Sequence, residues 1–198
     1  PEENWGPQDY ADHIADWLRT LPKNKGKRIW VGHSFGCRIG IRLAAKHPEL
    51  IDGLFLISAA GLKRQRTLLE KLTLKAKIYT YKAGKKLAPL LGISQDALRK
   101  HFGSADYQNA GELRDILVKT VSEDLTEIAK KVPCPVHLAF GEKDDQTPPE
   151  MGKRYQNLIR NATLFILPGL NHYSILGPGH HQVVALIKNF IEKISNHD

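Results

Sequence analysis

The chain has 198 residues, 41% of them hydrophobic, with a formal charge of +8. That is enough for one domain with a real core and an inserted subdomain, and it is an ordinary soluble composition. No apolar run reaches the roughly 20 residues that span a bilayer, and two cysteines, Cys37 and Cys134, make no disulfide framework; with no leader visible, a cytoplasmic location is expected.

Gln8 to Leu21 reads as a helix, because Tyr10, Ile14, Trp17, Leu18 and Leu21 recur at spacings of three and four and so share a face. Pro22 to Gly26 breaks it. Arg28 to Gly32 is a short apolar strand. A second helix opens at Ser34, passes through Ile39, Leu43 and Ala44, and stops at Pro48. Gly53 to Ser58, with Leu54-Phe55-Leu56-Ile57 inside it, suits a strand covered on both faces.

From Gly61 the texture becomes basic and helical. Between Gly61 and Lys100 stand eleven lysines and arginines against two acids, Glu70 and Asp96, so this segment carries +9 and the remainder −1. Leu68, Leu72, Ala76, Tyr79, Ala83 and Leu87 form an apolar stripe, with Lys71, Lys75, Lys82 and Lys86 off it, and Gly84, Pro89 and Gly92 interrupt the pattern. The segment reads as an inserted set of helices. Its charge either forms a solvated face or attracts an anionic substrate, partner or acidic membrane surface. Asp124 to Lys131 is then a short helix, Val136 to Phe140 a strand, Pro149 to Leu158 a helix, Thr163 to Leu167 a strand and Gln182 to Ile194 a closing helix. Strands alternating with helices predict an α/β fold, a mainly parallel sheet with helices on both faces.

Three turns carry chemistry. Gly32-His33-Ser34-Phe35-Gly36 lies between a strand and a helix and has the Gly-x-Ser-x-Gly pattern of a nucleophile elbow. A serine there sits in a strained turn that exposes its hydroxyl, and side chains at Gly32 and Gly36 are expected to collide with the neighbouring backbone. The turn also aims helix N-terminal amides, that of Phe35 first, at charge developing during attack. The strand at Val136 runs into Gly141-Glu142-Lys143-Asp144-Asp145-Gln146-Thr147-Pro148, and the strand at Thr163 into Pro168-Gly169-Leu170-Asn171-His172.

In these motifs the chain resembles the α/β-hydrolase family, whose acid follows a strand in a Gly-x-x-Asp-x-x-x-Pro turn and whose histidine follows the last strand. The resemblance implies Ser34 as nucleophile, Asp144 as acid and His172 as base, in the family's order. The register with Gly141 and Pro148 favours Asp144 over Asp145. It further implies hydrolase core at residues 1–60, a helical cap at 61–122 and core again at 123–198. Members carry several strands before the elbow, whereas 33 residues precede Ser34. An earlier segment of the same protein, with the loop that gives the second oxyanion donor, is therefore expected. The activity implied is hydrolysis of a small, anionic or neutral acyl ester. A carbon–carbon hydrolase, an acyltransferase or a binding protein without turnover on the same triad stays open. No cofactor and no metal site are expected, His180-His181 reading as a surface pair. No nucleic-acid motif appears, the basic segment having no interleaved aromatics beyond Tyr79 and Tyr81.

Overall fold

The computed structural model describes residues 4–22, 26–65, 68–87 and 111–196. It divides into two compact units, one of residues 1–63 with 122–198 and one of residues 64–121.

The first unit is built on four parallel strands, β1 (Ile29–His33), β2 (Gly53–Ile57), β3 (Val136–Gly141) and β4 (Ala162–Leu167), in the order β1-β2-β3-β4. Every residue of β2 and β3 is buried. That agrees with their unbroken apolar runs, since alternation would be wasted on a strand covered on both faces. β1 is an edge strand among the described residues, and its Val31 is exposed.

Parallel strands need crossover connections, and these supply the helices. Helix α1 (Pro7–Thr20) starts with proline at its first turn, and Asp9 Oδ2 accepts the Gly6 amide at 2.7 Å. Its inner face differs from the sequence reading. Ala11 and Ala15 are fully buried, with Tyr10, Ile14 and Leu18 packed around them, while Trp17 and Leu21 are exposed. Two alanines let α1 sit close to its neighbour, which moves the centre of the stripe and pushes the bulky Trp17 off it. Helix α2 (Phe35–Lys46) follows β1 directly.

Helices α1 and α2, the short α5 (Thr126–Ala129) and α6 (Pro149–Leu158) cover one face of the sheet, around Leu54, Leu56, Val136, Leu138 and Phe140. Helix α7 (His180–Ser195) covers the other, where Val183, Phe190 and Ile194 meet Phe55, Ile57, Ala139 and Leu167. The odd and even residues of each strand thus feed two separate cores. Near the points where the chain leaves and re-enters the first unit, the Leu125 amide bonds the Gly61 carbonyl at 2.9 Å.

In the second unit, helix α3 (Leu68–Leu87) runs unbroken through Gly84, where an interruption was expected. Pro89 and Gly92 lie outside the described residues. A 3₁₀ turn (Gly111–Leu113) leads into α4 (Arg114–Ser122).

One ion cluster ties α2 to the returning chain. Arg42 Nε donates to Glu123 Oε1 at 2.7 Å, with a further close contact from its terminal nitrogen. Arg38, of which only 7% is exposed, holds Glu123 Oε2 at 3.6 Å. Breaking such a buried pair strands a charge and costs about 3–5 kcal/mol. Glu123→Gln is therefore expected to destabilise the fold by about 3 kcal/mol, near the lower end of that range because the amide keeps one acceptor. Urea denaturation of the two proteins measures it.

Candidate active site

The four strands end at one edge of the sheet, and the three sequence motifs lie there. At the end of β1 the backbone turns sharply into α2. Ser34 takes φ 48° and ψ −105°, a region sparsely populated for a residue with a side chain. Its neighbours hold it there. The Ser34 amide donates to the Ile57 carbonyl at 3.0 Å, its carbonyl accepts from the Cys37 amide at 3.2 Å, and Trp30 Nε1 donates to the Gly36 carbonyl at 3.0 Å.

The glycines on either side have different reasons. A Cβ on Gly32 would come within 2.7 Å of the Gly36 backbone carbon and 2.8 Å of its oxygen, so Gly32 is required. A Cβ on Gly36 would meet nothing within 4 Å, contrary to the expected collision there. The crowding runs one way, because the Gly36 backbone is the wall that a side chain at 32 would strike. Ser34 is half-buried, and the amide of Phe35 is the first of α2. The Phe35 ring packs edge-on against Tyr10, 5.6 Å between centroids.

The acid and histidine turns are brought together. Asp144 and His172 are 3% and 4% exposed, and His172 Nδ1 lies 2.9 Å from Asp144 Oδ2. Asp145 is exposed. Their loops interlock: the Lys143 amide bonds the Leu170 carbonyl at 2.8 Å, and a Cβ on Gly141 would be 2.4 Å from the same carbonyl oxygen. Asn171 Oδ1 accepts the amides of Tyr173 and Ser174 at 3.1 and 2.8 Å, shaping the turn around His172.

Asp144 is more fully held than a sequence motif conveys. Its Oδ1 accepts the amides of Gln146 and Thr147 at 3.0 and 2.8 Å, and its Oδ2 accepts the Thr147 hydroxyl at 2.9 Å as well as His172. Thr147 Oγ1 also lies 3.2 Å from His172 Nδ1. Burial alone would raise the pKa of this carboxyl. The bonds from His172, the Thr147 amide and the Thr147 hydroxyl outweigh it and hold the group at about 2, below its ordinary 3.8. Ser58 Oγ, fully buried at the end of β2 with φ 47°, adds to this pull, although it forms no hydrogen bond of good geometry. Thr147 and Ser58 were not singled out from the sequence. The only signal for Thr147 was its place three residues after the acid, where a hydroxyl can turn back on it.

His33 ties the serine turn to the histidine loop. Its Nε2 donates to the His172 carbonyl at 3.0 Å, and the two rings lie 4.8 Å apart. Burial pushes the His33 imidazole below its ordinary range, and the bond to that carbonyl opposes the shift.

Other features lie apart from this edge. A cavity of about 520 Å³ opens at the opposite ends of the strands, lined by Lys27, Asp52, His137, Arg160 and Lys193 among others and by none of the motif residues. Among the described residues no group of three or more His, Cys, Asp or Glu is placed to hold a metal ion, and no helix is long and apolar enough to cross a membrane.

Known proteins fit this geometry. The sequence model of the alpha/beta hydrolase family matches residues 1–186. The chain is 28% identical over 193 residues to 2-(acetamidomethylene)succinate hydrolase of Mesorhizobium japonicum, covering 87% of this chain and 66% of that protein. It is 24% identical over 180 residues to 2-hydroxy-6-oxo-6-(2'-aminophenyl)hexa-2,4-dienoic acid hydrolase of Metapseudomonas resinovorans, covering 83% of this chain and 59% of that one. The chain thus spans just under two thirds of these relatives' lengths. Among solved structures, that of E-2-(acetamidomethylene)succinate hydrolase superposes with a TM-score of 0.62 at 26% identity, covering 97% of this chain and 76% of the other. A four-stranded parallel core with helices on both faces, the elbow at Ser34 and a family match along nearly the whole length lead to one conclusion: the chain belongs to the alpha/beta hydrolase family.

Proposed function

We propose that the protein is a serine hydrolase that works through a covalent acyl-enzyme, with Ser34 as nucleophile, His172 as general base and Asp144 as the orienting acid, on a small carboxylic ester. The observation that carries this reading is the buried His172–Asp144 pair, 2.9 Å apart, beside a serine on a strained strand-to-helix turn. Ser34 adjoins His33, whose ring lies against that of His172.

The chemistry follows from these positions. His172 Nε2 takes the hydroxyl proton as Ser34 Oγ bonds to the ester carbonyl carbon, and the carbonyl oxygen becomes an oxyanion. The Phe35 amide, at the positive end of α2, donates to that oxyanion. Collapse breaks the bond to the alkoxy oxygen, which leaves with the proton from His172. Water then repeats the cycle on the acyl-enzyme and frees Ser34. Asp144 remains ionised throughout and holds the Nδ1–H tautomer of His172. In this reading residues 61–122 correspond to the family's helical cap.

The substrate is further read as an anionic acyl compound. The two relatives above are named for a succinate and a dienoic acid, both carboxylates, and residues 61–100 carry an excess of nine positive charges. Scission of a carbon–carbon bond or acyl transfer would use the same triad. A receptor that traps its ligand would label with a fluorophosphonate but not turn over.

Ser34→Ala is expected to abolish fluorophosphonate labelling and to lower turnover of a p-nitrophenyl ester by roughly 10⁴- to 10⁶-fold. Asp144→Asn should cost about 10⁴-fold through the wrong histidine tautomer, whereas Asp145→Asn should stay near wild type. Labelling of Ser34 without multiple turnover would select the receptor reading.

Thr147→Val removes a donor from the carboxylate and is expected to lower kcat about tenfold with KM little changed, a loss near the value of one such bond. Thr147→Ser should restore the rate, and steady-state kinetics on the three proteins decides it.

Because the folded Asp144 is depressed to about 2, its contribution is complete above pH 4 and is lost as pH falls from about 4 to 2. The depression corresponds to about 2 kcal/mol. Between those pH values the stability of Asp144→Asn should fall by about 2 kcal/mol less than that of the wild type, as measured by urea denaturation across the pH series.

A further inference from the structure

Helix α3 presents an apolar face that is exposed among the described residues. At about 100° per residue, Leu68, Leu69, Leu72, Ala76, Tyr79 and Ala83 fall within an arc of about 100°, the width of a stripe that ordinarily meets a core. Here the stripe is solvent-facing. Leu68 is 80% exposed, Leu69 72%, Leu72 63% and Tyr79 71%, and Ala76 and Ala83 are exposed as well. Single exposed apolar residues need no explanation, but a contiguous row along four turns does.

The charge of this helix is almost entirely of one sign, six lysines against one acid. Lys75 and Lys82 are exposed along one border. Threonines 73 and 80 stand on the other border. Glu70 is the one acid among the 20 residues of α3. A soluble partner presenting an apolar groove would satisfy the leucines and leave the lysines without counter-charge unless its rim were acidic throughout. A bilayer surface with anionic headgroups meets both demands at once. The leucines and tyrosine enter the acyl boundary, and the lysine stems run along the apolar surface to place their ammonium groups among the phosphates.

We propose that α3 is a membrane-surface helix, which lies in the headgroup layer of an anionic bilayer with Leu68, Leu69, Leu72 and Tyr79 directed into it. The proposal does not depend on the roles of Ser34, Asp144 and His172. It would hold the protein against a lipid surface without a spanning segment.

The test is co-sedimentation of the full-length protein with vesicles of phosphatidylcholine alone and of phosphatidylcholine mixed with phosphatidylglycerol, at low and high salt. Each lysine near an anionic surface adds a few-fold in affinity, so binding to the mixed vesicles at low salt should exceed that to neutral vesicles by at least roughly tenfold. It should fade at high salt, where exposed charges are screened over a shorter distance. Leu72→Glu with Tyr79→Glu should abolish sedimentation. Lys75→Glu with Lys82→Glu should remove the preference for anionic vesicles. Far-ultraviolet circular dichroism and the melting temperature of each variant should match wild type, and Ser34→Ala should sediment like wild type. Equal binding to both vesicle types, or wild-type binding by the Leu72/Tyr79 variant, would overturn the proposal. So would the absence of sedimentation with either vesicle, the outcome if a soluble partner or an earlier segment of the same chain covers the stripe.

Discussion

The site depends on a backbone constraint at one residue. Ser34 is held at a positive φ between a strand and a helix, and strain of this kind costs of order 1–3 kcal/mol. It persists because each neighbouring group is occupied in keeping it. The sheet takes the serine amide through Ile57, the helix takes its carbonyl through Cys37, and Trp30 fixes the Gly36 carbonyl on the far side. Gly32 then has no room for a side chain. The serine is thus held by backbone bonds from the sheet and from the helix.

The parallel sheet does the rest of the positioning. Strands that run the same way end on the same side, so turns far apart in sequence become neighbours without any long loop. Residues 33, 58, 144 and 172 meet at this edge because β1, β2, β3 and β4 are consecutive in the sheet. The Leu125 amide bonds the Gly61 carbonyl, which brings together the two stretches of the first unit that flank residues 64–121. The Arg38, Arg42 and Glu123 cluster fastens the point of return to the helix that begins at the serine.

Much of this was legible in the residues. The unbroken runs of β2 and β3 announced strands buried on both faces, and the elbow, acid and histidine turns each stood at the end of a run. Register with Gly141 and Pro148 favoured Asp144 over Asp145 as the acid; in the structure Asp144 is buried and Asp145 exposed. Other features were not legible, for identifiable reasons. Spacing placed Trp17 on the inner face of α1, but packing distance is set by the smallest residues, and Ala11 and Ala15 decided the face. Gly36 looked equivalent to Gly32, yet steric demand depends on which atom faces which, and that direction is absent from a motif. Thr147 and Ser58 reach Asp144 through a turn and a neighbouring strand, relations that no linear pattern records. The outward stripe of α3 has a helical period whichever way it faces, so periodicity alone could not orient it.

Cys37 lies beneath the elbow, fully buried, with Sγ 3.1 Å from the Gly32 carbonyl and 3.3 Å from that of Ile57, so that its single S–H is shared between them. Burial pushes this thiol far above its ordinary range, which leaves almost no thiolate to react. An alkylating reagent can reach the sulfur only when α2 lifts from the sheet and the turn at Ser34 comes apart. The cysteine is thus a built-in clock for the turn at Ser34: its alkylation rate, divided by that of the unfolded chain, counts how often the serine's frame is open.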